Sequence, residues 1–177
     1  MPPWHISVNV SATQLNRPDF AEVVGGILKR TGLEARCLSL DVTETVYVKA
    51  LENVTTTLDE LKSRGVRISI DDFGTGYSSL SYLRRLPADI LKIDKKFIKG
   101  VGEDVEDTAI VQMVIDLAHT LGMETVAEGA ESEGQVKELR RMGCDMGQGY
   151  YFSEPFPPEA VLEFLKEGLG TLGIQVL

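Results

Sequence analysis

Six short runs of strand-forming residues alternate with helical patterns along this chain. The predicted strands cover residues 6–10, 38–42, 67–71, 90–93, 125–127 and 149–152. Strands that alternate with helices of ten or more residues pair in parallel through right-handed crossovers. The pattern therefore predicts an α/β protein, built either as a doubly wound sheet or as a (β/α) barrel.

Helix signals fill the intervals between these strands. The predicted helices cover residues 19–30, 52–64, 108–121 and 132–142, and a last helix follows Pro157-Pro158. Glycine stands just after the first three, where helices commonly end. In the third helix, apolar residues recur at helical spacing and predict a stripe that packs on the sheet. These residues are Ile110, Met113, Val114, Leu117 and Leu121.

Length, net charge and cysteine content exclude several classes of function for this chain. A length of 177 residues, 43% of them hydrophobic, fits one soluble domain with a sizeable core. The 27 acidic and 18 basic residues give a net charge of −9, which argues against binding DNA, RNA or an anionic membrane. No apolar run approaches the length of a membrane span, so we expect no direct membrane insertion. Cys37 and Cys144 are too few for a disulfide framework or a zinc site, which favours a cytoplasmic protein.

Polar side chains interrupt the aliphatic pattern of four strands. In each strand the polar residue points to the face opposite its aliphatic neighbours. The residues concerned are Asn9, Asp41, Asp71 and Lys92. In a barrel, helices cover the outer face of the strands, whereas the inner face near the C-terminal strand ends carries the chemistry. Because unpaired buried charges are costly, the four residues are either satisfied separately in the core or gathered in one polar site. One shared site is the simpler solution.

Asp71 and Asp72 end the third strand and precede a loop bracketed by Gly74 and Gly76. Neighbouring strand residues serve one site only where the backbone turns, and glycine permits such a turn. Two adjacent ionised carboxylates repel each other, so cations stabilise the pair. The alternative interpretation is a polar turn in which one of the two aspartates caps the next helix.

Hard oxygen ligands in this pattern indicate Mg²⁺ or Mn²⁺ rather than zinc. The candidate ligands are Asn9, Asp41, Asp71 and Asp72. Two cations that share a carboxylate clamp a phosphodiester and lower the pKa of a bound water. Lys92 would place a positive charge beside the water or the phosphate. Glu128 ends another strand and is a candidate general base or metal ligand.

Six segments of the chain, in this order and spacing, resemble the successive motifs of one enzyme family. They are residues 8–15, 41–44, 70–80, 91–94, 126–131 and 143–150, with Asp-Asp-Phe-Gly-Thr-Gly-Tyr-Ser-Ser-Leu at positions 71–80 as the most specific. The family is that of the EAL-domain cyclic di-GMP phosphodiesterases. The resemblance implies a TIM-type (β/α) barrel, here incomplete, with six of its eight β/α units (strands three to eight). It also implies hydrolysis of cyclic di-GMP to linear pGpG with two Mg²⁺ or Mn²⁺ ions.

The resemblance also implies a role for each matching residue. Asn9, Asp41 and Asp71 would hold the first metal, and Asp71 would bridge to a second metal held by Asp72. Lys92 would hold the catalytic water, and Glu128 would act as general base or metal partner. Further residues would support the loop after the aspartate pair or bind substrate: Glu44, Phe73, Gly74, Thr75, Gly76, Glu131, Gln148 and Tyr150. For Glu131, a solvated carboxylate at a helix N-terminus is an equal alternative.

The sequence departs from the family pattern in two places. The Glu-Ala-Leu motif and the first two strands are absent from residues 1–177, so we expect a single truncated EAL domain. Asp41 stands where the family has glutamate, and its side chain is one methylene shorter. Both departures weaken the same metal site, so we expect impaired activity. The alternative is a catalytically degenerate domain that binds cyclic di-GMP or a protein partner and signals without turnover.

Missing strands would also leave two open edges, at residues 6–10 and 149–152. Unpaired strand edges promote association between chains. We therefore expect a homo-oligomer that forms through one or both edges.

Overall fold

The computed structural model describes residues 5–48, 52–74, 87–161 and 163. The chain divides into two compact units. The first comprises residues 1–92 and 121–123, and the second comprises residues 93–120 and 124–177.

The described residues of the first unit form four strands and four helices. The strands are β1 (Ile6–Asn9), β2 (Leu38–Thr43), β3 (Arg67–Phe73) and β4 (Ile90–Ile93), the last of which ends one residue beyond the unit. The helices are α1 (Ala12–Leu15), α2 (Phe20–Thr31), α3 (Glu44–Val48) and α4 (Glu52–Ser63). A 3-10 turn (Ala35–Cys37) leads into β2.

Strand order in this unit follows chain order, from β1 to β4. β1 is parallel to β2, and β2 is parallel to β3. In a doubly wound sheet the strand order reverses at a switch point, whereas a (β/α) barrel keeps the order of the chain. The sequence allowed either a doubly wound sheet or a (β/α) barrel, and the sequential strand order favours the barrel.

Register aligns the polar residues of neighbouring strands. Asn9 lies opposite Asp41, Asp41 lies opposite Ser69, and Thr43 lies opposite Asp71. The alternate residues of β2 and β3 are aliphatic and buried; they are Leu40, Val42, Ile68 and Ile70. Helix α4, whose Leu58 and Leu61 are also buried, contacts β3. Polar and apolar residues thus occupy opposite faces of the same two strands, as predicted.

The second unit contains α5 (Lys95–Ile98), α6 (Val105–Thr120), β5 (Glu124–Glu128), α7 (Glu133–Arg141) and β6 (Met146–Gln148), followed by a 3-10 turn (Pro158–Ala160). β5 and β6 are parallel, with Val126 opposite Met146 and Glu128 opposite Gln148. No helix among the described residues is long and apolar enough to cross a membrane.

The prediction of the sixth strand at residues 149–152 was wrong, because the strand is Met146–Gln148. Residues 149–152 form a turn in which the Phe152 N–H donates to Gly149 O. The aromatic residues there have high strand propensity. Gly149 nevertheless lies so close to the backbone of Ala130 that an added Cβ would collide with it. The strand ends at Gln148, directly before this turn.

The predicted apolar stripe, which lies on α6, was also partly wrong. Met113 is 62% exposed, and Ile110 and Leu117 are only half-buried. The buried residues of α6 are Val111, Val114, Ile115 and Ala118. Both sets have helical spacing because apolar residues occur on several faces of this helix, so periodicity alone does not select the packed face.

Candidate metal centre

Lys92 lies between two carboxylates on the first unit's sheet. Its Nζ is 2.9 Å from Asp41 Oδ2 and 2.9 Å from Asp71 Oδ1. The three side chains are 8%, 4% and 13% exposed, respectively. One buried ammonium thus faces two buried carboxylates, which leaves excess negative charge. Such a cluster is stabilised by a further cation.

Asp72 brings a second carboxylate to the end of β3. The carboxylate oxygens of Asp71 and Asp72 approach within 4.8 Å, and Asp72 is partly exposed. This arrangement arises because Asp72 adopts a left-handed backbone conformation, with φ of 56°, and its N–H donates to Asp71 Oδ1 at 3.1 Å. The sequence predicts that Gly74 and Gly76 permit this turn, and the structure adds Asp72 to the residues with positive φ. The turn begins at Asp72 and continues at Gly74, with φ of 90°.

A buried oxygen atom of Asp41 supports a cation at this place. Among the residues that the structure describes, none donates a hydrogen bond to Asp41 Oδ1. An unsatisfied buried carboxylate oxygen is costly, and a divalent cation satisfies it. The donor set of Asp41, Asp71 and Asp72 consists of hard carboxylate oxygens, so these residues fit Mg²⁺ or Mn²⁺.

Glu44 contacts the backbone just after the aspartate pair. Its Oε2 accepts a hydrogen bond from the Gly74 N–H at 3.0 Å, and the residue is buried at the start of α3. Phe73, the last residue of β3, is also buried. The predicted loop residues Thr75 and Gly76 lie outside the described part of the chain.

Asn9 occupies the predicted strand position, but its side chain is exposed. Its backbone lies opposite Asp41, and the Val10 N–H donates to Asp41 O at 2.9 Å. The structure therefore places Asn9 next to Asp41 of the buried cluster, at an exposed position of β1.

The remaining predicted residues lie in the second unit, at the C-terminal ends of its strands. Glu128 ends β5 and is half-buried, whereas Gln148 ends β6 and is exposed. Glu131 and Tyr150 follow these strands in exposed loops. The two loops are joined by backbone hydrogen bonds, since the Ala130 N–H donates to Gln148 O and the Tyr151 N–H donates to Ala130 O, each at 3.0 Å.

A cluster that the sequence did not predict lies at the start of β5. Asp145 Oδ2 is 2.8 Å from His119 Nε2 and accepts hydrogen bonds from the Thr125 N–H and hydroxyl, each at 2.8 Å. Burial opposes ionisation of Asp145, but these hydrogen bonds outweigh it and lower the pKa of the carboxyl. In (β/α) barrels the catalytic residues lie at the C-terminal ends of the strands, so we assign this cluster, at the N-terminal end of β5, a role in stability. No sequence motif linked the three residues.

This chain is similar in sequence and in fold to proteins of one known family. The EAL domain family model matches residues 1–155. A relative from Pseudomonas aeruginosa, the bifunctional diguanylate cyclase/cyclic di-GMP phosphodiesterase MucR, is 45% identical over 159 residues, which are 90% of this chain and 23% of that protein.

Solved structures of other proteins share the fold. The EAL domain of Mycobacterium smegmatis DcpA is 43% identical with a TM-score of 0.87, over 93% of this chain and 73% of that one. The manganese/cy-diGMP complex of Klebsiella pneumoniae BlrP1 is 30% identical with a TM-score of 0.80, over 87% of this chain and 40% of that one.

This chain spans about a quarter of the length of MucR, and the six strands among its described residues correspond to an incomplete TIM-type barrel. The matched family region includes every predicted site residue. The chain therefore belongs to the EAL domain family.

Proposed function

We propose that this chain carries out metal-dependent hydrolysis of a phosphodiester bond of cyclic di-GMP, with linear pGpG as the product. The buried cluster of Lys92, Asp41 and Asp71, with Asp72 beside it, is the observation that carries this proposal. Relatives that are cyclic di-GMP phosphodiesterases, and a solved relative with manganese and the dinucleotide, support it.

Two Mg²⁺ or Mn²⁺ ions are the proposed cofactors. Asn9, Asp41 and Asp71 would hold the first ion, Asp71 would also contact the second, and Asp72 would hold the second. When bound, the ions supply charge that stabilises the phosphodiester transition state and lowers the pKa of the attacking water.

The chain's own residues position the reactants. Lys92 holds a positive charge beside the attacking water and the phosphate, while its bonds to Asp41 and Asp71 fix the ammonium in place. Glu128 accepts the proton of that water or serves as a further metal ligand. Glu44 holds the Gly74 backbone, which restrains the chain directly after Asp72.

The remaining residues form the substrate side of the proposed site. Glu131, Gln148 and Tyr150 follow β5 and β6 in loops, and loops at the C-terminal strand ends carry substrate contacts in barrels. Phe73 would support the loop after the aspartate pair, to which Thr75 and Gly76 belong. The two cysteines are free and buried, which fits the proposed cytoplasmic setting.

Asp41 favours a second candidate function. Its side chain is shorter than the glutamate of the family, and Mg²⁺ demands near-ideal ligand geometry. A domain whose metal site is weakened at Asp41 would bind cyclic di-GMP, or only a protein partner, and would signal without turnover.

An assay of cyclic di-GMP hydrolysis separates the two functions. The purified chain is incubated with cyclic di-GMP and Mg²⁺, Mn²⁺ or EDTA, and the products are separated by chromatography and identified. The proposal predicts slow formation of pGpG with either metal and none with EDTA. Binding of cyclic di-GMP without any pGpG would refute hydrolysis and support the binding module, and the absence of both would refute every function that involves cyclic di-GMP.

A further inference from the structure

Gln135 uses both ends of its side-chain amide to join two loops of the second unit. Its Oε1 accepts hydrogen bonds from the backbone N–H groups of Glu131, at 2.8 Å, and Ser132, at 3.0 Å. Its Nε2 donates to the backbone carbonyls of Ile98, at 3.1 Å, and Lys99, at 3.3 Å. Gln135 is thus bonded to Ile98 and Lys99, from which it is separated by 37 and 36 positions in the sequence.

Only half of this arrangement is required to cap a helix. Ser132 and Gln135 form a capping box at the start of α7, in which the Ser132 hydroxyl accepts from the Gln135 N–H. Glutamate serves equally well at this position of a capping box, because only an acceptor oxygen is needed. The donation from Nε2 to two carbonyls, by contrast, requires the amide of glutamine. We call this second half the amide tether.

The segment held by the tether carries two of the proposed site residues. Residues 128–132 connect the end of β5 to α7 and include Glu128 and Glu131. Gly129, with φ of 72°, packs so closely on Lys95 of α5 that an added Cβ would collide with the Lys95 Cβ. Ala130 is fully buried and hydrogen-bonded to the loop after β6. The amide tether adds a fixed link from this segment to the end of α5.

We propose that Gln135 is a positioning residue, which holds the 128–132 segment on the end of α5 and so fixes Glu128 and Glu131 for reaction with cyclic di-GMP. This inference rests on the proposed function. Small displacements of a reacting group lower catalytic rates by up to about a hundredfold, so loss of the tether is expected to lower kcat.

Two substitutions separate the tether from the cap. Gln135→Glu keeps the acceptor oxygen for Glu131 and Ser132, and its charge suits the N-terminus of α7. It replaces the amide donor with an oxygen that faces the carbonyls of Ile98 and Lys99. Gln135→Ala removes both the cap and the tether. Gln112→Glu is the matched control, because Gln112 Nε2 also donates to a backbone carbonyl, that of Met142, at 3.2 Å.

The experiment measures kcat for cyclic di-GMP with Mn²⁺, the thermal midpoint, and hydrogen exchange of the amides of residues 129–132. Gln135→Glu is expected to keep a thermal midpoint near that of the unsubstituted chain. It is also expected to lower kcat by about tenfold or more and to speed exchange. Gln135→Ala is expected to lower both kcat and the midpoint, whereas Gln112→Glu should change neither kcat nor exchange at residues 129–132.

Several results would overturn the inference. An unchanged kcat in Gln135→Glu would leave only a capping role for Gln135, and a lower kcat without faster exchange would show that the tether does not act through the segment. If the unsubstituted chain forms no pGpG, the proposed function fails. In that case hydrogen exchange at residues 129–132 still tests whether the amide tether holds this segment. Unchanged exchange in Gln135→Glu would refute the tether.

Discussion

The buried ammonium of Lys92 partly neutralises the two carboxylates of Asp41 and Asp71. Asp41 and Asp71 each accept a hydrogen bond from its ammonium at 2.9 Å, in a place from which water is largely excluded. A buried ion pair adds little net stability compared with apolar residues, but removing one partner leaves an uncompensated charge. Lys92 therefore has a structural role as well as its proposed role beside the attacking water.

Lys92→Met is expected to lower the free energy of unfolding by about 3–5 kcal/mol, because two buried carboxylates lose their shared cation. Lys29→Met is the control, since Lys29 is exposed on α2, and a change within about 0.5 kcal/mol is expected. Urea unfolding in the absence of divalent ions measures both. Equal stability of the two variants would show that Lys92 does not neutralise the cluster.

At the scale of single elements, the end of β3 stores backbone strain at a proposed metal ligand. Asp72 has φ of 56°, a conformation that costs most residues about 1–2 kcal/mol and that asparagine and aspartate tolerate best. Strained backbone conformations of this kind are found often at functional sites, where they orient side chains. In this chain it directs neighbouring carboxylates toward one place.

Asp72→Val is expected to be less stable than Asp72→Asn by about 1–2 kcal/mol, because a β-branched side chain does not suit the left-handed conformation. Both variants remove the carboxylate charge, so its effect on stability cancels when the two are compared. Thermal and urea unfolding measure the difference. If the two variants are equally stable, the backbone at position 72 is not held in the left-handed region.

The cluster at the start of β5 predicts a pH dependence of stability. Burial raises the pKa of Asp145, but the hydrogen bonds from His119 and Thr125 lower it more, so the folded-state pKa lies below the ordinary value of 3.8. The stabilisation is therefore fully present above pH 3.8 and is lost as the pH falls through the folded-state pKa.

Asp145→Asn is expected to remove this part of the acid sensitivity. The original chain should lose more of its unfolding free energy than the variant as the pH is lowered below 3.8. Urea unfolding at a series of pH values provides the test. Parallel stability curves for the two proteins in this range would contradict the account of Asp145.

The sequence was sufficient to predict the parts of the site that depend on alternation. Asp41, Asp71 and Lys92 stand out because each is polar on an otherwise aliphatic strand, and such residues need buried partners. The conformation of Asp72 was not predictable, because most positive φ values belong to glycine. The sixth strand was misplaced because the aromatic residues at 150–152 have high strand propensity, whereas residues 149–152 form a turn.

At the scale of the whole molecule, β1 is exposed along its full length. Ile6 is 49% exposed and Val8 is 44% exposed, and β1 is the first strand in the order of the sheet. Exposed apolar edge strands pair with other chains, and two-fold pairing is the commonest closed arrangement. We therefore propose that this chain forms a homo-oligomer through β1, alone or together with β6.

Light scattering over a concentration series is expected to give a mass above the 19.4 kDa of one chain, increasing with concentration. Val8→Lys should shift the protein toward the monomer, because a charged residue on an edge strand opposes pairing. Glu22→Lys, at an exposed position of α2, provides the control for added positive charge. A compact monomer at every concentration would refute association through the strand edge.

Metal binding at Asp71 is the central claim, and a calorimetric titration of folded protein with Mn²⁺ and Mg²⁺ tests it most directly. Asp71→Asn keeps the side-chain volume and removes the charge, and Asp59→Asn on the exposed face of α4 is the matched control. We expect Asp71→Asn to lower the affinity for the metal by more than about tenfold and Asp59→Asn to leave it unchanged. Equal affinity in the original chain and in Asp71→Asn would contradict the proposed metal centre.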